Sequence, residues 1–283
     1  MANPCFICGQ TATRTLFEKG GRDFIRCEGC GLVRVDPLPT PEENQHYYDE
    51  TYREWYATFQ KATDIRQLIA AHRMDAVSSF AKPGHWLDVG CAAGQFVALA
   101  RQRGIDAEGL DIAPAAIEQA QAQGIPAHLG SVEEFSPPRQ YDTITAFDVL
   151  EHTIRPTEFL DRVRTWLVPD GTLALTLPDV SSAFPRWIMR KHWFYYLPND
   201  HLHYFDPATV RALLEQRGFR VEKVGRAYKL LTGAYIVEQL NIFNPWLGRI
   251  ATALAAAIPA AALAKPRLYF IGEMMVHARK DGA

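Results

Sequence analysis

Leu87-Asp-Val-Gly-Cys-Ala-Ala-Gly94 is the stretch on which the reading of this chain turns. It continues a strand-like run from Trp86, passes through Asp88, and ends in a G-x3-G loop. A helical pattern follows from Gln95 to Arg103. Apolar strand, glycine turn and helix in that order open a βαβ unit. The loop would sit at the carboxyl end of its strand, where open α/β sheets bind ligands. Glycine supplies the tight turn and lets backbone come close to a ligand.

The same alternation continues outward. Strands are expected over 106–111, 127–129, 141–147, 171–177, 219–226 and 268–278. Helices are expected over 114–123, 156–167 and 208–217. Such a series gives an α/β sheet with right-handed crossovers. The last two strands lack a long helix of obvious amphipathic period between them, so one is expected to run antiparallel. Asp111 ends the second strand, 23 residues after Asp88, where a carboxylate can accept both hydroxyls of a ribose. A dinucleotide is the alternative, but its loop reads G-x-G-x-x-G and leaves a helix N-terminus open to pyrophosphate. Here there are two glycines, Gly90 and Gly94, and Asp88 just ahead of them would repel a diphosphate and attract an ammonium. The ligand expected is an adenosine carrying a cationic amino-acid tail.

Four of the five cysteines fall in the first 30 residues, spaced C-x2-C-x18-C-x2-C: Cys5, Cys8, Cys27 and Cys30. That is close to the spacing of a four-thiolate zinc site, which is closed and structural. Two disulfides would need an oxidising compartment, and a redox C-x-x-C would sit beside a βαβ pattern. The Pro-rich run 36–41 is a stiff linker. A helical stretch from Glu42 to Ala81 then carries an aromatic stripe of Tyr47, Tyr48, Tyr52, Trp55, Tyr56 and Phe59. It either packs on the next domain or forms a lid. The expected organisation is a zinc ribbon over 1–38, a helical linker or lid over 39–82, and a catalytic domain over 83–283 with an apolar insertion at 228–266.

With 30 Lys+Arg against 32 Asp+Glu, the chain lacks the positive balance of a phosphate-backbone binder. Its longest uncharged apolar candidate, Ile250 to Ala264, has 15 residues against the roughly 20 a span requires, and contains Pro259. The N-terminus lacks a basic and an apolar region of a secretory signal. A cytoplasmic protein is expected. From Pro207 to Ala283 there are 11 Lys+Arg and 5 Asp+Glu, so peripheral contact with an anionic inner membrane face stands beside a lid or dimer contact for this region.

Leu87 to Gly94, Asp111 and Phe147-Asp-Val-Leu-Glu-His152 together resemble the class I S-adenosylmethionine-dependent methyltransferases, in particular the small-molecule branch of the ubiquinone-pathway O-methyltransferases. The paired cysteines, the Tyr-rich stretch and His201-Leu-His-Tyr-Phe205 resemble zinc-ribbon methyltransferases of sugar and surface-polysaccharide pathways. The resemblance covers about residues 83 to 227. It implies a Rossmann-like seven-stranded sheet with an antiparallel final hairpin. It also implies roles: Gly90, Cys91 and Gly94 near the amino-acid end of S-adenosyl-L-methionine, Asp88 toward its ammonium, Asp111 on the ribose, Ile112, Ser131 and Val132 around the adenine, and Phe147 and Asp148 behind the methyl group. Cys91 reads as a small buried hydrophobe.

Because the sulfonium is already a strong methyl donor, the protein must mainly position the acceptor, and a hydroxyl acceptor gains from a base. His152 is the first candidate, since histidine titrates near neutrality. His201 and His203 are the second, because residues two apart in an extended segment face one side. Each has a structural alternative. The expected activity is methyl transfer, most simply O-methylation, to a small molecule, a sugar, a glycan or a lipid-linked acceptor. An RNA methyltransferase that uses the ribbon to bind RNA, or a non-catalytic cofactor-binding module, are the alternatives. The fourth strand ends without the Asn/Asp-Pro-Pro-aromatic signature of many amino-group methylases.

Overall fold

In the computed structural model, residues 4–47 and 63–282 are described. Of the aromatic stripe only Tyr47 falls among them.

The main sheet has seven strands: β4 (His85–Val89), β5 (Asp106–Asp111), β6 (Ala127–Leu129), β7 (Tyr141–Phe147), β8 (Leu167–Pro178), β10 (Phe219–Thr232) and β11 (Pro266–Lys280). Their spatial order is β10-β11-β8-β7-β4-β5-β6. Strands β4 to β8 pair in parallel, and β11 is antiparallel to both neighbours. That is the seven-stranded class I methyltransferase order, with the antiparallel last strand inserted between β8 and β10. The winding reverses between β4 and β7, so their carboxyl ends flank the crevice where such sheets take ligands.

The helices owe their positions to local signals. Proline opens α4 (Pro114–Ala122), α5 (Pro156–Trp166) and α6 (Pro207–Gln216). A proline at the first helical position loses no intrahelical hydrogen bond and has its φ already set. A reciprocal cap between Asp206 and Thr209 adds to the start of α6. In α5, Phe159, Leu160, Val163 and Trp166 recur at helical spacing, and all are buried against the sheet. On the other face, α3 (Gln95–Gln102) packs over β5 through Phe96, Val97 and Ala100, and α2 (Thr63–Ser78), through Ala70, Met74 and Val77, packs against α3 and β10.

The N-terminal strands β1 (Thr13–Lys19), β2 (Arg22–Cys27) and β3 (Val33–Asp36) form an antiparallel sheet, followed by the short α1 (Pro41–Tyr47). Its fourth strand comes from far along the chain: β9 (His203–Tyr204) pairs with β3 through Val33–Tyr204 and Arg34–His203. Cys5, Ile7, Cys27 and Leu32 are buried in the same apolar cluster as Leu87, Phe159 and Leu213 of the α/β part.

Within the 228–266 stretch β10 runs on to Thr232, well beyond the strand expected over 219–226. Three helices follow: α7 (Gly233–Phe243), α8 (Pro245–Ala255) and α9 (Ala260–Ala264). Pro245 and Pro259 divide the apolar run, each starting a new helix.

Candidate active site

The loop after β4 is built around Asp111. Its Oδ2 accepts a hydrogen bond from the Ala92 amide and its Oδ1 from the Ala113 amide, both at 2.8 Å. The carboxylate thus ties the glycine loop to the start of α4 and keeps a lone pair on each oxygen for a ligand. Burial raises its pKa. Gly90 and Gly94 have φ of +74° and +76°. A Cβ on Gly90 would lie 2.5 Å from Val149 Cγ2, and one on Gly94 would lie 2.8 Å from Ile125 Cγ2. Both glycines are required by conformation and by their protein neighbours.

Asp88 is buried, accepts from Thr145 Oγ1 at 2.6 Å, and is pushed up to about 7 by burial. Its observed partner is therefore the neighbouring strand. Cys91 is buried, and a Cβ on Gly109 would come within 2.4 Å of its sulfur, so strand β5 needs glycine there to admit the thiol. Desolvation holds that thiol well above its ordinary pKa, which fits a packing side chain. Ile112 is exposed beside Asp111, while Val132 is buried in the turn after β6. Ser131 opens the same turn, its carbonyl accepting the Phe135 amide at 2.9 Å.

At the end of β7, Phe147 meets the Arg73 guanidinium at 4.8 Å and packs edge-on against Phe96. Asp148, at φ +57°, accepts from Arg73, from Lys229 Nζ at 2.8 Å and from Thr176 Oγ1 at 2.8 Å. Burial alone would raise its pKa, but Lys229 and Arg73 outweigh it and hold the carboxyl far below the usual range. Lys229 also reaches Glu273 Oε1 at 2.8 Å, and Tyr195 Oη donates to the same oxygen. A chain of charge therefore runs from α2 through β7, β10 and β11 to Tyr195. It borders a cavity of about 350 Å³ between α2 and β10.

Tyr195 stacks on His201, their rings 5.4 Å apart. His201 meets His152 edge-on at 4.6 Å. His152 Nδ1 donates to the Asp200 carbonyl at 2.9 Å and lies 3.0 Å from its Oδ1, which leaves Nε2 4.0 Å from Glu151 Oε1. Burial disfavours the imidazolium, yet Asp200 more than compensates and raises His152 to about 9. His152 in turn holds Asp200 down to about 2 against its burial. Glu151 is fully buried with neither oxygen hydrogen-bonded, and desolvation pushes its pKa well up. Burial, and then the charge on His152, lower His201 to about 3.

Of the three expected histidines, the structure brings His152 and His201 together and places His203 elsewhere. His203 pairs in the N-terminal sheet and meets Phe6 edge-on at 5.0 Å. His201 lies ahead of β9, which spans only His203–Tyr204, and its ring meets His152 instead. No motif or spacing in the sequence assigns a role to Arg73, Lys229, Glu273, Tyr195, Asp200 or Glu151. Glu151 and Asp200 each directly precede a candidate histidine, and that adjacency is the one local signal for them. Arg73 and Lys229 lie 75 and 81 positions from Asp148, and no local spacing links them.

At the other end of the molecule the cysteines converge. Cys5 and Cys30 sulfurs are 3.6 Å apart, Cys8 and Cys27 sulfurs 3.4 Å, and all four lie within 4.8 Å of one another. None forms a disulfide.

Residues 52–224 match the family described as "Methyltransferase domain". Among curated relatives, a ubiquinone biosynthesis O-methyltransferase of Xanthomonas euvesicatoria pv. vesicatoria is 29% identical over 151 residues, which is 49% of this chain and 63% of that protein. One from Histophilus somni is 26% identical over 173 residues, 54% of this chain and 72% of that protein. The first of these matches thus spans less than two thirds of the relative's length. The fold is shared with a SAM-dependent methyltransferase from Archaeoglobus fulgidus (TM-score 0.54, 19% identity, 79% of this chain and 99% of that one). It is shared too with magnesium protoporphyrin IX methyltransferase from Synechocystis PCC 6803, solved with bound SAH (TM-score 0.55, 15% identity, 83% and 97%). With a glycine loop fixed by Asp111 at the switch point of a seven-stranded sheet, and a family match over more than half its length, the chain belongs to the class I S-adenosylmethionine-dependent methyltransferases.

Proposed function

We propose that this protein moves the methyl group of S-adenosylmethionine to a hydroxyl of a small, sugar-like or lipid-linked molecule. The observation that carries this reading is a juxtaposition. The Asp111-fixed loop after β4 and the Asp200–His152–Glu151 cluster after β7 occupy the same edge of the sheet, on either side of the switch point. When bound, the cofactor supplies an activated methyl group on a sulfonium. Asp111 would hold its ribose, and the loop from Gly90 to Gly94 its amino-acid end. The names of the curated relatives support an oxygen acceptor.

The chain's own contribution is acceptor binding and proton handling. Asp200 fixes the His152 ring through Nδ1 and leaves Nε2 as the proton-accepting atom. Because Asp200 raises the His152 pKa, the cluster holds a proton at neutrality and must lose it before it can take one from a hydroxyl. Activity should therefore climb as pH rises toward about 9. Glu151, buried beside Nε2, would share that proton.

The cysteine cluster fits a structural zinc. Tetrahedral Zn–S bonds of about 2.3 Å put sulfurs roughly 3.7 Å apart, close to the spacings found here. Four thiolates would leave no open position for substrate.

Titration calorimetry with S-adenosylmethionine, followed by incubation of cell extract with methyl-labelled cofactor and mass analysis of the products, tests the function. A labelled hydroxyl-bearing product supports it. Failure to bind the cofactor, or binding with no transfer in any extract fraction, refutes it.

A further inference from the structure

We propose that the face formed by the turn at 184–192 and the helices α7 to α9 rests on an anionic lipid bilayer. The turn contains a π-helical stretch, Phe184–Met189, which buries Pro185 and Met189 and turns Trp187 outward at 70% exposure. In α8, Trp246, Ile250 and Leu254 succeed one another at four-residue steps and are exposed, Trp246 at 70% and Leu254 at 66%, and Ile242 near the end of α7 is exposed as well. Within α8, four-residue spacing puts Trp246, Ile250 and Leu254 on one side of the helix. The opposite side is occupied. Gly248 is buried against the Asn241 backbone, where a Cβ would come within 2.5 Å, and Asn241 Nδ2 donates to Thr252 Oγ1 at 3.0 Å. The hairpin is therefore closed on its inner side, and the outer side of α8 is apolar.

The two elements are neighbours. Met189, Trp193, Phe194, Leu240, Phe243 and Leu247 share one cluster, with the Phe194 and Phe243 rings 6.4 Å apart. An apolar outer face with tryptophans at its rim is what an interfacial helix presents to headgroups and acyl chains. Among the described residues no helix is long and apolar enough to cross a membrane, so the contact lies in the plane of the surface.

Charge selects the kind of surface. Residues 184–193 and 233–268 carry six cations, Arg186, Arg190, Lys191, Arg249, Lys265 and Arg267, against one acid, Glu238. The other residues carry 24 Lys+Arg and 31 Asp+Glu, from totals of 30 and 32. These segments thus carry a net positive charge in a chain whose other residues are net negative. A second copy of the chain would bring cations against cations if it used the same face symmetrically. Anionic headgroups complement both properties at once.

The face also leads to the site. The segment that turns Trp187 outward turns Tyr195 inward onto Glu273 and His201. This part rests on the proposed function: the acceptor would be an amphiphile whose apolar tail stays in the bilayer while its hydroxyl head reaches His152.

The test is co-sedimentation of the full chain with vesicles of phosphatidylcholine alone and with 30% phosphatidylglycerol, read without any activity assay. Binding should require the anionic lipid and weaken with salt. Replacing Arg186, Arg190 and Lys191 by Gln should lower partitioning on the order of a hundredfold, at about fivefold per cation. Trp246→Ser with Leu254→Ser should lower it by at least as much. Cofactor calorimetry and the melting temperature serve as controls, since none of these side chains touches the cofactor loop. Retention in the supernatant with both vesicles overturns the proposal, as does equal binding by the variants. A dimer in light scattering that the Trp246→Ser, Leu254→Ser variant dissociates also overturns it. A chain that binds vesicles but transfers no methyl group leaves the lipid contact standing and refutes the catalytic reading.

Discussion

Asp148 holds two cations and a hydroxyl on one carboxylate, and Lys229 is the member of that set shared with a second acid. Glu273 is 3% exposed, so losing Lys229 would leave a buried carboxylate with only Tyr195 as a partner. Lys229→Met should cost about 2–4 kcal/mol in urea denaturation, slightly under the usual figure for breaking a buried pair because the lysine keeps some contact with water. Adding Glu273→Gln should restore on the order of 1–2 kcal/mol. Asp111→Ala should weaken cofactor binding by roughly 2–4 kcal/mol in calorimetry, the scale of a lost charge-assisted pair. The structure adds that the Ala92 and Ala113 amides lose their acceptor as well, so part of that cost arises in the loop. Asp200→Asn removes the charge that lifts His152, and the rising limb of kcat/KM against pH should move from near 9 toward about 6.5, with KM little changed. An unmoved limb would show that another group titrates.

At the scale of elements, the ribbon and the α/β part share both a sheet and a core. Tyr204 pairs with Val33 across the two, and Cys27 is buried beside residues of the catalytic half. Cys27→Ser, or stripping with a strong chelator, should lower the melting temperature as a single transition. It should also speed amide exchange in β3 and β9. Emission spectrometry on protein purified without added metal should find one zinc per chain, and the cysteine variant should lack it. Cofactor affinity should change little, because among the described residues no hydrogen bond or strand pairing joins the glycine loop or Asp111 to the ribbon strands. Two separate unfolding steps would mean that the β3–β9 junction carries little energy.

Over the whole molecule, several buried groups bind protons more tightly folded than unfolded. Asp88 is raised to about 7 and His152 to about 9, and Glu151 and Asp111 shift the same way. A raised pKa contributes stability that is present below the unfolded value and lost as pH rises through the folded one. For Asp88 that window runs from about 4 to 7, and for His152 from about 6.5 to 9. Asp148 and Asp200 are depressed and lose their contribution only in acid. His201, His203 and His277 are lowered by burial and pull the other way only up to their unfolded value near 6.5, so the melting temperature should fall between about pH 7 and 9 while methyl transfer rises over the same range. Scanning calorimetry across the range checks the sign. A melting temperature that climbs toward pH 9 would contradict these shifts.

Local chemistry already contained the frame. The glycine loop, Asp111 and the alternation of strands and helices act over a few residues to a turn, so the α/β sheet and the loop at its switch point are legible from spacing alone. The paired cysteines make the four-cysteine cluster legible in the same way, although its closest sulfur pairs, Cys5–Cys30 and Cys8–Cys27, join one knuckle to the other. Only the folded chain decided what depends on contacts between distant segments. It sent His203 to the ribbon and His201 to His152. It gave Asp148 its two cations from α2 and β10, and it made the ribbon's fourth strand from residues more than 160 positions beyond β3. It also turned one side of α8 outward, which its apolar composition left open. Hydrophobic periodicity reports which residues avoid water, whereas pairing across the chain depends on which surfaces reach each other once the sheet has closed, and no local spacing encodes that.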